Sequence, residues 1–312
     1  MKSEMAGGKW PFNKCLVIND DVIQLAWRRK QKPMFEKVFP RSQYLEWNAM
    51  IVEPRLPISV CVIAGNEAHR IRRALESVAG WTSETVVLLN DDVNDGTDKI
   101  AAECGANVFR EPWKGHIAQK NSAARNASKE WILGLDADEV VSPELRMEIQ
   151  QWFARPEKLQ GIDALSFPRC TFYCGRWIRH GDWYPDRQTR LWRRGRAEWG
   201  GTDPHDKLIV DGKVGRLKSD LQHFSNDSVN AHIQKIIPFT DEFVRQQAQS
   251  RPTSLLTGLA IRPVWRFVRA YFFRLGFLDG WQGCYIAWLN AFSTASKYAK
   301  LRECQLKLRS LQ

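Results

Sequence analysis

The sequence has no apolar run long enough to cross a bilayer, and Met1 to Lys9 lack the apolar core of a secretion signal. The chain is therefore expected neither to be exported nor to span a membrane. It also lacks a cysteine framework. The seven cysteines, an odd number scattered at Cys15, Cys61, Cys104, Cys170, Cys174, Cys284 and Cys304, show neither disulfide nor structural-zinc spacing. They are expected to be reduced thiols in a cytosolic setting. There is no glycine-rich phosphate loop and no carboxylate pattern for two metals, which argues against a metal-dependent nucleotidyltransferase. No nucleic-acid-binding module is recognisable either, so nucleic acid is not the expected partner.

What the chain does have is positive charge, tryptophan and length. Its 46 Lys and Arg exceed 35 Asp and Glu, a formal net charge of +11, which predicts an anionic partner: nucleic acid, a phosphorylated substrate or an acidic membrane surface. Fourteen tryptophans, several beside arginine as in Trp177-Ile178-Arg179 and Leu191-Trp192-Arg193-Arg194, suit stacking on sugars or bases and equally a membrane interface. At 312 residues the chain can bury a large core, as one domain with additions or as two.

The central stretch is Trp131-Ile132-Leu133-Gly134-Leu135-Asp136-Ala137-Asp138-Glu139, a strand-like apolar run that stops at three carboxylates. Ser142-Pro143-Glu144 then starts a helix with a cap, a first-turn proline and a first-turn acid. Upstream, residues 58–64 read as a buried strand turning at Gly65-Asn66-Glu67 into a helix, and residues 85–89 as a second strand ending in Asn90-Asp91-Asp92. A short strand at 107–109 and a helix at 117–127 precede the strand that ends in Asp136. Alternating strands and helices imply right-handed crossovers and a mainly parallel sheet. The strand ends at Gly65, Asn90 and Asp136 then open on one edge, where polar groups can hold a base and ribose, and the two aspartates a cation on a diphosphate.

In their order, Val-Ile-Ala-Gly-Asn-Glu, Asn-Asp-Asp-Val-Asn-Asp-Gly-Thr and Leu-Asp-Ala-Asp-Glu resemble the inverting family 2 glycosyltransferases of the GT-A fold. More narrowly, Gln119-Lys120-Asn121, residues 175–181, Trp183-Tyr184-Pro185-Asp186, Arg190-Leu191 and residues 277–283 resemble a bacterial subgroup that adds β-linked glucose to the lipopolysaccharide inner core. The resemblance runs from about Leu56 to Leu301. It implies a GT-A-like α/β fold: a mainly parallel sheet flanked by helices, with a Rossmann-like nucleotide-binding half. It further implies donor contacts from Asn66, Glu67, Asn90, Asp91, Gln119, Lys120 and Asp136, and a Mg²⁺ or Mn²⁺ ion at Asp136 and Asp138. Gly65 stands where relatives usually carry Lys or Arg, and Asn90 where they usually carry Asp. The implied reaction moves a hexose, glucose by closest resemblance, from a nucleotide diphosphate sugar such as a UDP-sugar, with inversion, to an anionic lipid-linked saccharide. The alternative is a catalytically silent sugar-nucleotide or glycan binding protein of the same fold.

Inversion needs a carboxylate to take the acceptor proton. Asp203-Pro204-His205-Asp206 resembles the subgroup's Val-His-Glu, which puts Asp206 in that role, with Asp182 and Asp186 as rivals. His180, His205 and His223 are candidates for phosphate or acceptor contacts. Arg187, Arg190, Arg193, Arg194 and Arg196 are either a solvated strand face or a clamp for acceptor phosphates. From 229 the chain is expected to be helical. Over 261–278, Val264, Phe267, Val268, Tyr271, Leu275 and Leu278 fall at helical spacing, with Arg262, Arg266, Arg269 and Arg274 displaced from that stripe. Such a basic amphipathic helix suits an anionic membrane surface, or packing on the catalytic domain or on a second subunit. The expected plan is an N-terminal extension at 1–55, a catalytic domain at 56–226 and a helical region at 227–312, on the inner face of the cytoplasmic membrane.

Overall fold

The computed structural model describes residues 55–203, 205–226, 228–248, 254 and 256–310. The strand at 15–18 and the helix at 21–32 expected in the N-terminal extension lie outside the described residues.

Strand β1, Leu56–Ala64, is apolar through its middle because neighbours cover both of its faces: Ile58, Val60 and Val62 have no solvent exposure. It lies between β2, Thr82–Asn90, and β4, Trp131–Asp136, both parallel to it, and β3, Asn107–Glu111, runs parallel beyond β2. Helices α1, Ile71–Val78, α2, Thr97–Glu103, and α3, His116–Arg125, make the crossovers. In α1 the buried positions Ile71, Ala74, Leu75 and Val78 recur at helical spacing, so one face packs on the sheet while the arginines stay out. Gly96, at φ +90°, turns the chain into α2, and the Asp95 carboxylate accepts from the Thr97 amide at 3.0 Å. The expected alternation of helices with a parallel sheet is present in this half.

Beyond β4 the sheet becomes mixed. Its order is β3-β2-β1-β4-β8-β6-β12-β5, where β5 is Glu139–Val141, β6 Ala164–Tyr173, β8 Asp186–Arg193 and β12 Leu221–Asn226; β7, Arg176–Ile178, and β11, Val214–Arg216, flank β6. Only Ala137 and Asp138 separate β4 from β5, yet β5 pairs with β12 at the far edge. Two residues reach less than about 11 Å, so the sheet has to curl until its far edge returns to the end of β4. That curl places β12 beside the carboxylate loop. Helix α4, Pro143–Phe153, starts as expected, with Ser142 Oγ accepting from the Leu145 amide at 3.1 Å. A short α5, Pro156–Leu159, follows, and β9, Ala197–Thr202, pairs with β10, His205–Val210, as a separate hairpin.

The C-terminal region begins with α6, Val229–Gln247, capped by Ser228. The single helix expected over 261–278 is instead broken. A π-helical turn, Thr257–Ile261, leads into α7, Arg262–Val268, and a second, Arg269–Phe273, follows it. The chain then reverses at Leu275, φ +57°, and enters a 3₁₀ turn, Gly276–Asp279, before α8, Gly280–Ser310. Asp279, almost fully buried, is the reason for the break. Its carboxylate accepts from the amides of Arg179 and His180 at 3.0 and 2.8 Å and meets His180 Nδ1 at 3.0 Å, fixing the turn to the loop after β7. Helices α6 and α8 dock on the end of β6 through Tyr173, Ile178 and Ile286, with His232 edge-on to Tyr173.

His232 lies inside this aromatic cluster. Burial, then the nearby Lys235 charge, pushes its imidazole down to about 4. The unfolded chain, with an imidazole near 6.5, therefore binds the proton more readily. This contribution to stability is complete above that value and is lost as pH falls toward 4. Urea titrations are expected to show a loss of about 2 kcal/mol between about pH 7.5 and 5 that His232→Phe removes.

Candidate active site

The strand ends open into a cleft of about 1090 Å³, bounded by the parallel half of the sheet, the curled edge and helices α6 and α8. Its floor is an ion network. Asp136, ending β4, has one carboxylate oxygen 2.7 Å from Arg190 Nη2 and the other 2.9 Å from Lys120 Nζ. Burial alone would raise this carboxyl, but Arg190 and then Lys120 outweigh it and hold the group far below the usual carboxylate range. The same Arg190 nitrogen is 3.1 Å from Glu139, a carboxylate with no exposure that also accepts from the Asp136 amide at 3.0 Å and from Arg169 at 3.0 Å. Glu139 thus shapes the Asp136–Asp138 turn from beneath, and Arg169 continues the chain of charges to Asp186 at 2.7 Å.

Lys120 explains the Gln119-Lys120-Asn121 motif. Its Nζ lies 2.9 Å from Asp206 Oδ2 as well as from Asp136, and 4.5 Å from the Trp199 ring. The Asn121 amide meanwhile donates to and accepts from the Trp199 backbone, both at 2.9 Å, which fastens the β9–β10 hairpin to α3. Asp206 is delivered to the cleft by that hairpin, with Lys120 on one oxygen and no partner for the other among the described residues. Gly134 is required beneath this group, because a side chain there would run into the Trp199 and Trp192 rings.

Asp138, two residues beyond Asp136, faces His223 on β12, with 3.5 Å between Oδ2 and Nε2, and lies 3.7 Å from Arg70. Its carboxyl is raised by burial but lowered by more through His223 and Arg70. His223 Nδ1 meets Thr171 Oγ1 at 3.2 Å, which fixes the ring with Nε2 toward Asp138. Arg70 in turn holds Glu67 through paired contacts, one at 2.8 Å, so the ends of β1, β4 and β12 are joined.

Seven of the residues expected at the site line this cleft: Glu67, Asn90, Lys120, Asp136, Asp138, Asp182 and Asp206. Three do not. Gln119 is fully buried behind α3, and Asn66 turns to the following loop, where its Oδ1 accepts from the Asn94 amide at 3.2 Å. Asp91 is exposed beyond the lining because consecutive side chains at a strand end point apart. Asp182 differs from expectation in another way. Its side chain is 2 % exposed and bound by Arg266 at 2.5 Å, Arg269 at 2.8 Å and Arg274 at 3.3 Å, so it anchors the segment after α6 rather than presenting a base. The strand arginines do not form one clamp: Arg190 is buried in the network, Arg187 caps the Ser166 and Leu217 carbonyls, and Arg196 pairs with Asp163. His180 is committed to Asp279, and the side chain of His205 lies outside the described residues.

Residues 59–207 match the model of glycosyl transferase family 2. An uncharacterized glycosyltransferase of Rickettsia typhi is 30 % identical over 263 residues, covering 81 % of this chain and 89 % of that one. The chain belongs to family 2. Its lipopolysaccharide core biosynthesis relative LpsC of Rhizobium meliloti is 25 % identical over 260 residues, 79 % of this chain and 94 % of LpsC. A solved structure, S. aureus TarS 1-349 in complex with UDP, covers 82 % of this chain and 92 % of its own at 15 % identity and a TM-score of 0.42, too distant to carry a conclusion about this one. The curled α/β sheet of this glycosyltransferase, with its helical C-terminal region, is the GT-A-like arrangement expected from the resemblance.

Two residues absent from the expected donor set, Arg190 and Glu139, do most to hold the site. Arg190→Met leaves Asp136 and Glu139 buried without their shared cation, and is expected to cost about 3 to 5 kcal/mol in denaturant titration. Arg72→Met, on the ion pair with Glu103 that is open to solvent, is expected to cost less than about 1 kcal/mol.

Proposed function

We propose that this family 2 glycosyltransferase moves a hexose, glucose by closest resemblance, from a UDP-sugar to an anionic lipid-linked saccharide with inversion of the anomeric centre. The observation that carries the proposal is the convergence of Asp136, Asp138 and His223 on one side of the cleft with Asp206 on another, linked through Lys120. Among the described residues no three His, Cys, Asp or Glu side chains form a complete metal cage. A Mg²⁺-like ion is characteristically held by one or two carboxylates together with substrate phosphates, and Asp136 and Asp138 are the carboxylates at the end of β4. Asp138 would hold such an ion through a carboxylate oxygen, with Asp136 two residues before it and His223 beside it. Such an ion would supply charge neutralisation to the leaving diphosphate.

The protein's own groups divide the remaining work. In this reading Glu67 and Asn90, which line the cleft, contact the nucleoside, and Asp206 takes the acceptor hydroxyl proton as that oxygen attacks. Lys120 keeps the base in register with the donor carboxylate. The name of LpsC supports a lipopolysaccharide-type acceptor. An acceptor in lipid is also supported by the outer surface of the C-terminal region, where Trp265, Phe272, Phe273, Trp281, Trp288 and Phe292 are all more than half exposed. Among the described residues no helix is long and apolar enough to cross a membrane. The aromatics and the net positive charge match the headgroup region of an anionic bilayer, the inner face of the cytoplasmic membrane in this reading.

Asp206→Asn is expected to leave the Kd for UDP-glucose within about twofold while lowering transfer, or slow donor hydrolysis, by about 10²-fold or more. Unchanged turnover in that variant would remove Asp206 from the mechanism.

A further inference from the structure

One tryptophan in the cleft has no part in the chemistry described so far. Among the described tryptophans, Trp113 and Trp183 line the cleft; Trp183 packs into the aromatic cluster, 5.3 Å from Tyr173 and 5.0 Å from His232, whereas Trp113 is 48 % exposed. Its contact with His116, 4.8 Å between ring centroids at 86°, is edge-to-face, so an indole face stays open. The loop that carries it is held in place. Asp203 Oδ1 accepts from the Ile117 amide at 3.1 Å, and a side chain at Gly115 would collide with the same carboxylate. Strand register places the indole beside Asn90. Ala64 pairs with Leu89 and Asn90 with Glu111, so Gly65, Asn90 and Glu111 form a row across the ends of β1, β2 and β3, and Trp113 lies two residues beyond Glu111. Asn90 lines the cleft, and its side-chain amide has no hydrogen-bond partner among the described residues. Gly65 leaves room beside it, since even an added Cβ would lie 3.8 Å from Asn90 Nδ2.

An amide presents an acceptor and a donor side by side, and the edge of a pyrimidine base presents the complement. Uracil offers N3–H beside a carbonyl, and cytosine offers N3 as an acceptor beside an amino group. Turned over, one amide pairs with either, whereas a carboxylate only accepts and matches uracil alone. The sheet order sets β2 two strand spacings, about 10 Å, from β4, which leaves a ribose and diphosphate to span from a base at Asn90 to Asp136. We propose that Asn90 and Trp113 form a pyrimidine slot, the amide pairing with the base edge in either orientation and the indole stacking on its face, so that cytidine as well as uridine diphosphate sugars enter the site. The slot rests on the nucleotide-sugar reading above and widens it from uridine to both pyrimidines. Stacking tolerates that change because every base offers a π-face.

The test is calorimetric titration of the full chain, in Mn²⁺, with UDP and with CDP, using variants that melt like the parent. The parent is expected to bind the two nucleotides within about tenfold of each other. Asn90→Asp adds a charge that acts on both alike, so the ratio is the readout: CDP is expected to weaken at least about tenfold more than UDP. Trp113→Ala is expected to weaken both about tenfold, and Trp113→Phe to restore most of that loss. A parent that binds CDP more than about tenfold weaker than UDP, or a ratio unmoved by Asn90→Asp, would overturn the pairing by the amide, and full affinity in Trp113→Ala would overturn the stacking. Nucleotide binding indifferent to both positions would overturn the slot alone, whereas no binding of either nucleotide by the folded parent would overturn the slot and the donor reading together.

Discussion

Asp136 is held between two cations, and the rest of the cleft depends on that clasp. Arg190 approaches from β8 and Lys120 from α3, so a carboxylate at the end of one strand ties together a sheet neighbour, a crossover helix and, through Lys120, the hairpin bearing Asp206. Between largely buried groups such as Arg190, Lys120 and Glu139 such contacts are strong and directional, and leaving a member unpaired is costly. Glu139 beneath the turn and Trp199 beside both cations restrict where those charges can go. Asp136 and Asp206 are therefore set relative to each other before any ligand arrives, the preorganisation that the proposed transfer requires.

The curl of the sheet gives this clasp its setting. Because only two residues join β4 to β5, the far edge must return to the cleft, and His223 comes with it to Asp138. The C-terminal helices close the opposite side through two carboxylates. Asp279 binds the loop after β7, and Asp182 gathers Arg266, Arg269 and Arg274. The same segment that turns its arginines inward presents Trp265, Phe272 and Phe273 outward. One short stretch thus grips Asp182, which lines the cleft, and forms an aromatic outer surface.

The parallel half of the fold was legible because its signals are local: apolar runs of strand length, the α1 periodicity and the Ser142 cap each act within a few residues. Asp136, Asp138 and Lys120 were legible through their motifs. Arg190 belongs to a recognisable motif, yet with its neighbours it reads as either a solvated strand face or a clamp for acceptor phosphates, since only its alternate position along β8 distinguishes it from Arg187 and Arg193. His223 is more than eighty residues from Asp138, and no local pattern records the curl that joins them. The reversal at Leu275 and the inward turn of the arginines were hidden by a sequence with good helical spacing, because their causes are distant contacts, of Asp279 with Arg179 and His180 and of Asp182 with the three arginines. Gln119, though part of a recognisable motif, faces the interior because its neighbours Lys120 and Asn121 occupy the cleft and hairpin sides of α3.

The central claim is that the end of β4 holds a nucleotide diphosphate sugar through a divalent ion. Calorimetric titration of UDP-glucose into the full chain, with Mn²⁺ and then with EDTA, alongside Asp138→Ala and His223→Ala, tests it most directly. The account predicts binding with Mn²⁺ that weakens at least about tenfold in EDTA and in both variants. Binding of equal strength in all four conditions would contradict the metal site, and absence of binding in every condition, by folded protein and across other nucleotide sugars, would contradict the donor reading itself.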